Sequence, residues 1–108
     1  FEQMEIEYFI KEEDWETLFV SWQEEMKKWC DMIGLDPKKC HDKEHDADQL
    51  SHYSKRTVDI EYDFPFGKKE LYGLAYRTDF DLAQHEKFSG KDLKWRDPQT
   101  GEKFLPHV

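Results

Sequence analysis

The run Glu70-Leu71-Tyr72-Gly73-Leu74-Ala75-Tyr76-Arg77-Thr78-Asp79-Phe80-Asp81-Leu82 sets one arginine and several carboxylates into an otherwise apolar, strand-like stretch. An ionised group in such a setting is costly unless it is paired or used. Either these charges pair with one another along a polar strand edge and a capped turn, or they serve a site. Glu5 sits in a row with Gln3 and Glu7, a row that is solvated on an open sheet face and would bind an ammonium group if that face lined a cleft. Cys30, Cys40, His41 and His45 are zinc-ligand types, but Cys30 belongs to a helical stripe and the paired Cys-x-x-Cys knuckle is missing, so no zinc site is expected. Ser51-His52-Tyr53-Ser54 puts hydroxyls near an imidazole. With no third orienting residue evident, hydrogen bonding in a loop is the expected role there, not nucleophilic catalysis.

The elements that must position these groups are legible from periodicity. Residues 1–10 alternate, with Met4, Ile6, Tyr8 and Ile10 opposite Gln3, Glu5 and Glu7, the two-residue period of a strand. Trp15, Phe19, Trp22, Met26, Trp29, Cys30 and Ile33 recur at helical spacing, predicting a long amphipathic helix over 14–34 capped by Asp14 and Gly34. Its outer face, with Glu16, Gln23, Glu24, Lys27 and Lys28, is expected to meet water. Residues 35–56 lose the pattern and read as a long loop anchored by Leu50 and Tyr53. Thr57–Phe64 alternates again; Pro65 and Gly67 mark a turn, and the Glu70 run follows as a third strand. A short helical turn over Asp81–Ser89, around Leu82 and His85, then a second hairpin across Asp97-Pro98-Gln99-Thr100-Gly101, complete residues 57–108. The expected fold is α+β: one domain over 1–108, a mostly antiparallel sheet with one long helix packed on it. Glu70 and Arg77 differ in parity, so a regular strand would point them to opposite faces. A shared pocket requires a bulge near Gly73 or a strand that ends before Arg77.

Composition narrows the function. The 108 residues suffice for one modest core, and an aromatic content of 16% argues against disorder. With 25 acidic and 16 basic side chains the formal charge is −9, which denies the chain the basic patch of a nucleic-acid grip. Two cysteines are too few for a disulfide scaffold, and no apolar run approaches membrane-spanning length or resembles a signal peptide. A cytoplasmic, reducing setting is expected. Both ends, Phe1 and Val108, fall beside patterned segments and read as cuts.

Several motifs in fixed order carry a family resemblance. Phe1-Glu2-Gln3-Met4-Glu5-Ile6-Glu7-Tyr8-Phe9, Ser51-His52-Tyr53-Ser54, Asp59-Ile60-Glu61-Tyr62, Phe64-Pro65-Phe66-Gly67, Glu70-Leu71, Gly73-Leu74-Ala75, Arg77-Thr78-Asp79-Phe80-Asp81-Leu82 and Pro106-His107-Val108 resemble the homodimeric type of glycyl-tRNA synthetase over nearly the whole chain. The resemblance implies the interval between motifs 2 and 3 of a class II catalytic domain that joins glycine to ATP and transfers the glycyl group to tRNA. It implies glycine-site roles for Phe1, Glu2, Gln3, Met4, Glu5 and Arg77, with Glu5 on the substrate ammonium. It further implies ATP contacts for Glu70 and Leu71, Glu70 acting through Mg2+. The family has Asn or Asp before that arginine, where Tyr76 stands here.

Such chemistry needs no side-chain nucleophile. The glycine carboxylate attacks the α-phosphate, and the enzyme neutralises and orients the reactants. The resemblance places the motif 2 arginine and motif 3 outside residues 1–108, so this chain alone is expected to be inactive, to hold no cofactor tightly, to bind nucleic acid weakly and to self-associate through exposed strand edges. A non-catalytic interaction module using the acidic face or a sheet edge is the alternative reading.

Overall fold

The computed structural model describes residues 2–108; Phe1, assigned above to the glycine site, lies outside the described residues. Helix α1 spans Trp15–Met32 and is entered through a 3₁₀ turn, Glu12–Asp14. Asp14 is therefore not the cap expected of it: it is already helical (φ −94°, ψ −8°), and its side chain makes no capping hydrogen bond. Gly34 does close the helix, at φ 79°. Its N–H donates to Asp31 O (3.1 Å) and that of Leu35 to Cys30 O (3.0 Å), the Schellman pattern that satisfies the last carbonyls.

Strands β1 (Cys40–Glu44), β2 (Arg56–Phe64) and β3 (Gly67–Tyr76) form an antiparallel sheet in that order. β2 and β3 are joined by the turn at Pro65 and Phe66, as the sequence predicts. β1 falls inside residues 35–56, which the hydrophobic pattern had assigned to a loop. Cys-His-Asp-Lys-Glu carries no apolar alternation, and the strand is held by its ladder to β2 and by charge. Helix α2 (Phe80–Ser89) forms where the helical turn over Asp81–Ser89 is expected and ends at Gly90 in the left-handed conformation (φ 67°). β4 (Trp95–Arg96) and β5 (Lys103–Phe104) make the second hairpin.

The core lies between α1 and one sheet face. Phe19, Val58 and Tyr76 are buried together, with Ile10, Trp15 and Leu74 against them. Trp15 stacks on Tyr76 at 4.4 Å between centroids. Lys27 is exposed, as expected of the outer face, and its ammonium reaches over to pair with Asp42 at 2.8 Å. The core stripe is less regular than expected. Trp29, assigned to the core stripe, is 44% exposed and donates its indole N–H to Tyr72 Oη at 3.1 Å.

Residues 2–9 are not a strand. Only Ile10 pairs, in an isolated antiparallel bridge to His107. Alternation alone does not make a strand; it needs a neighbour to take its N–H and C=O groups, and among the described residues no strand pairs with 2–9, although Tyr8 packs edge-on against Trp22. Met4 and Ile6 are left 80% and 65% exposed.

Candidate functional site

On β2 the even positions Val58 and Ile60 are buried toward α1, so Asp59, Glu61 and Asp63 project from the opposite face. On β1, His41 and Lys43 sit directly across from Glu61 and Asp59. Their contacts run diagonally: His41 to Asp63 at 2.7 Å, Lys43 to Glu61 at 3.6 Å and His45 to Asp59 at 2.6 Å. The hydrogen bond to Asp59 pushes the His45 imidazole up, and the one from His41 holds Asp63 below the usual carboxylate range. Histidines singled out as zinc-ligand types thus serve as cross-strand hydrogen-bond partners of carboxylates. Among the described residues no group of three or more His, Cys, Asp or Glu side chains is arranged to hold a metal.

The β2–β3 ladder contains one irregularity. Ile60 pairs with Tyr72 and Glu61 with Glu70, so Leu71 is an extra residue on β3. This bulge lies two residues before the position expected from Gly73, and it has the consequence sought there. It resets the alternation, so that Gly73, Ala75 and then Arg77, one residue beyond the strand, follow on the side of Glu70. Gly73 lies opposite Asp59. A Cβ built on it would stand 3.1 Å from Glu70 Oε1 and 3.4 Å from Asp59 Oδ1. The missing side chain therefore gives two carboxylates their space. Asp59 is buried and paired, whereas Glu70 is exposed, faces Glu61, and has no ion-pair partner among the described residues.

Arg77 is held from several directions. Its Nε and Nη2 donate to the two oxygens of Asp81 (2.6 and 2.8 Å), and its guanidinium lies over the Tyr53 ring at 3.8 Å. The hydrogen bond from Arg77 lowers the Asp81 pKa, and the same bond raises that of Arg77. Asp81 takes the Nε edge of the fork, leaving the Nη1–Nη2 edge with two parallel donors for a second anion. The backbone is fixed as well: Arg77 N–H donates to Val108 O (2.8 Å) and Val108 N–H to Thr78 O (2.9 Å). Thr78 is the one non-glycine described residue at positive φ (60°), and its hydroxyl accepts the Phe80 N–H at 3.3 Å to start α2. A β-branched residue in that conformation stores strain at the arginine.

Tyr76, where the resembled family has Asn or Asp, points the other way. It is 3% exposed in the core and its hydroxyl lies 2.6 Å from His107 Nδ1. The substitution is thus absorbed on the α1 side of the sheet, away from Arg77's face. Ser54 Oγ lies near Arg56 O, Thr57 Oγ1 and Tyr76 O, and His52 packs edge-on against Tyr53 and Phe80, so the hydroxyl and imidazole serve separate contacts. Of the remaining residues assigned to the glycine site, Glu2, Gln3, Met4 and Glu5 lie in the exposed segment, where Gln3 Nε2 donates to Glu5 Oε1 at 3.1 Å. Leu71 is the half-buried bulge residue itself. The structure thus groups Glu70 and Arg77 on one face and leaves Glu5 without a contact to either. Sequence reasoning missed Tyr53 and Asp81 as the partners of Arg77; the Arg-x-x-x-Asp spacing was the available signal.

No family model matches the chain. Curated relatives do, along its whole length. A glycine–tRNA ligase of Ureaplasma urealyticum is 48% identical over 109 residues, covering 100% of this chain and 23% of that protein. Those of Staphylococcus saprophyticus and Staphylococcus aureus are 46% and 44% identical over 110 residues, each covering 99% of this chain and 23% of the relative. Identity of this degree over the whole length places the chain in the glycine–tRNA ligase family, as a segment that spans about a quarter of the length of the relatives it matches.

Proposed function

We propose that this chain is the part of a class II glycine–tRNA ligase catalytic domain that carries one wall of the glycine and ATP sites. In this reading the whole enzyme, a cytoplasmic homodimer, makes glycyl-adenylate from glycine and ATP and passes the glycyl group to tRNA(Gly). The observation that carries it is the bulge at Leu71, which brings the unpaired carboxylate of Glu70 and the clamped guanidinium of Arg77 to one sheet face. Glu70 and Leu71 contact ATP; a single carboxylate offered alongside phosphate oxygens suits Mg2+, which keeps most of its waters and needs few protein ligands. Arg77, with one fork edge free, lines the glycine site. Glu5 takes the substrate ammonium once residues 2–9 are paired as a strand. Glycine has no side chain to recognise, so selectivity rests on holding its ammonium and leaving no room for a larger residue.

The test is a transplant. Residues 1–108 replace the matching 110 residues of the Staphylococcus saprophyticus ligase, and glycine-dependent ATP–pyrophosphate exchange is measured. Exchange is expected in the chimera, with a drop of about 10²–10³-fold on Glu70→Ala or Arg77→Ala, the range seen when one charge-stabilising group is removed. An active chimera indifferent to both substitutions would refute the site. The isolated chain is expected to show negligible exchange, and turnover comparable to the whole enzyme would overturn that expectation.

A further inference from the structure

Cys30 and Cys40 play no part in the proposed chemistry, yet the fold brings them together. Lys27 of α1 is joined to Asp42 of β1 at 2.8 Å. From that contact, Cys30 lies one helical turn onward, about 4.5 Å along α1, and Cys40 two residues back, about 7 Å along β1. Strand alternation gives Cys40 the same face as Asp42, the face toward α1. The chain leaves α1 at Ile33 and Gly34 and enters β1 at Cys40 itself, so the two displacements run the same way and converge at the closed end of this connection. Both thiols are free; Cys30 is 5% exposed and Cys40 half-buried.

We propose that Cys30 and Cys40 are a redox modification site, a dithiol that a small disulfide oxidant of the glutathione class converts into an intrachain disulfide pinning the end of α1 to the start of β1. Cys40 is the entry thiol: it is the more accessible, and Lys38 and Lys39 precede it in an exposed 3₁₀ turn where their charge draws in an anionic reagent. Burial, together with the neighbouring Cys40 thiol, pushes the Cys30 thiol up, which suits it to the second, intramolecular step. The Cys40 thiolate attacks one sulfur of the reagent, the reagent's S–S bond breaks, and one small thiolate leaves. Cys30, losing its proton to solvent, then attacks the Cys40 sulfur and expels the second small thiolate. The two leaving groups take up the two protons, so two protein thiols and one small disulfide become one protein disulfide and two small thiols.

The experiment treats the reduced, folded chain with oxidised glutathione, then quenches in acid, alkylates and maps peptides by mass. Wild type is expected to lose both thiols and about 2 Da, with Cys30 and Cys40 cross-linked. Cys30→Ser should stall as a stable glutathione adduct on Cys40. The closure step should be at least about tenfold faster in the folded chain than in denaturing urea, because the fold and not the short loop presents the partner. Two persisting thiols, an adduct that accumulates in wild type as it does in Cys30→Ser, disulfides between chains, or equal closure rates with and without urea would each overturn the proposal.

Discussion

Asp81 holds two nitrogens of Arg77 while Tyr53 covers the guanidinium, so removing the carboxylate frees a half-buried cation that has no other ion-pair partner among the described residues. Asp81→Asn is expected to cost about 1 kcal/mol in urea denaturation, the value of a bidentate charged pair discounted for its partial exposure. The pH dependence has a definite sign. Asp81 has a lowered folded-state pKa, so its contribution is present above its ordinary value of 3.8 and is lost as pH falls through the folded value. The Asn variant should therefore show a flatter loss of stability on acidification. Tyr76 gives the opposite kind of test. Tyr76→Asn, which restores the residue type of the resembled family, should cost about 3 kcal/mol by removing the ring stacked on Trp15, whereas Tyr76→Phe should cost about 1 kcal/mol for the bond to His107. Equal costs for the two would show that the stack contributes nothing.

Among the elements, β1 was illegible for a physical reason. Hydrophobic alternation reports a face buried against apolar neighbours, and β1 is fixed instead by His41, Lys43 and His45 meeting Asp63, Glu61 and Asp59. Its docking should depend on pH. His45 has a raised folded-state pKa, so its stabilisation is full below the ordinary value of 6.5 and declines as pH rises through the folded value. Amide protection factors in β1, which remove the intrinsic rise of exchange with pH, should fall over that range in wild type but not in His45→Gln; identical profiles would dismiss the role. The bulge was only half legible: parity demanded a break in the alternation, but the break falls at Leu71, the residue with no β2 partner. Gly73→Ala should be nearly neutral in stability, within about 0.5 kcal/mol, because the atom it crowds most is the far end of the exposed, flexible Glu70 side chain. It should nonetheless displace the Glu70 carboxylate.

At the scale of the molecule, apolar groups remain uncovered. Met4, Phe66 and Phe88 are 80%, 74% and 80% exposed, and among the described residues no strand pairs with the outer edge of β3. Such surfaces and edges promote association. Sedimentation of the isolated chain should show a concentration-dependent increase in mass, reduced by Met4→Ser together with Ile6→Ser; a strict monomer at high concentration would contradict it. Among the described residues no helix is long and apolar enough to cross a membrane.

The sequence by itself determined the long helix, the β2–β3 hairpin, the second hairpin and the segment's family, because each is written in local periodicity, turn chemistry or an ordered set of motifs. It also exposed the parity conflict between Glu70 and Arg77. The tertiary structure alone decided where that conflict is resolved, that a charged segment becomes the edge strand β1, that residues 2–9 remain unpaired among the described residues, and that Arg77 is gripped by Asp81 and Tyr53. These depend on which groups lie across a ladder or a packed face, and neighbours in space are set by the closing of the chain on itself.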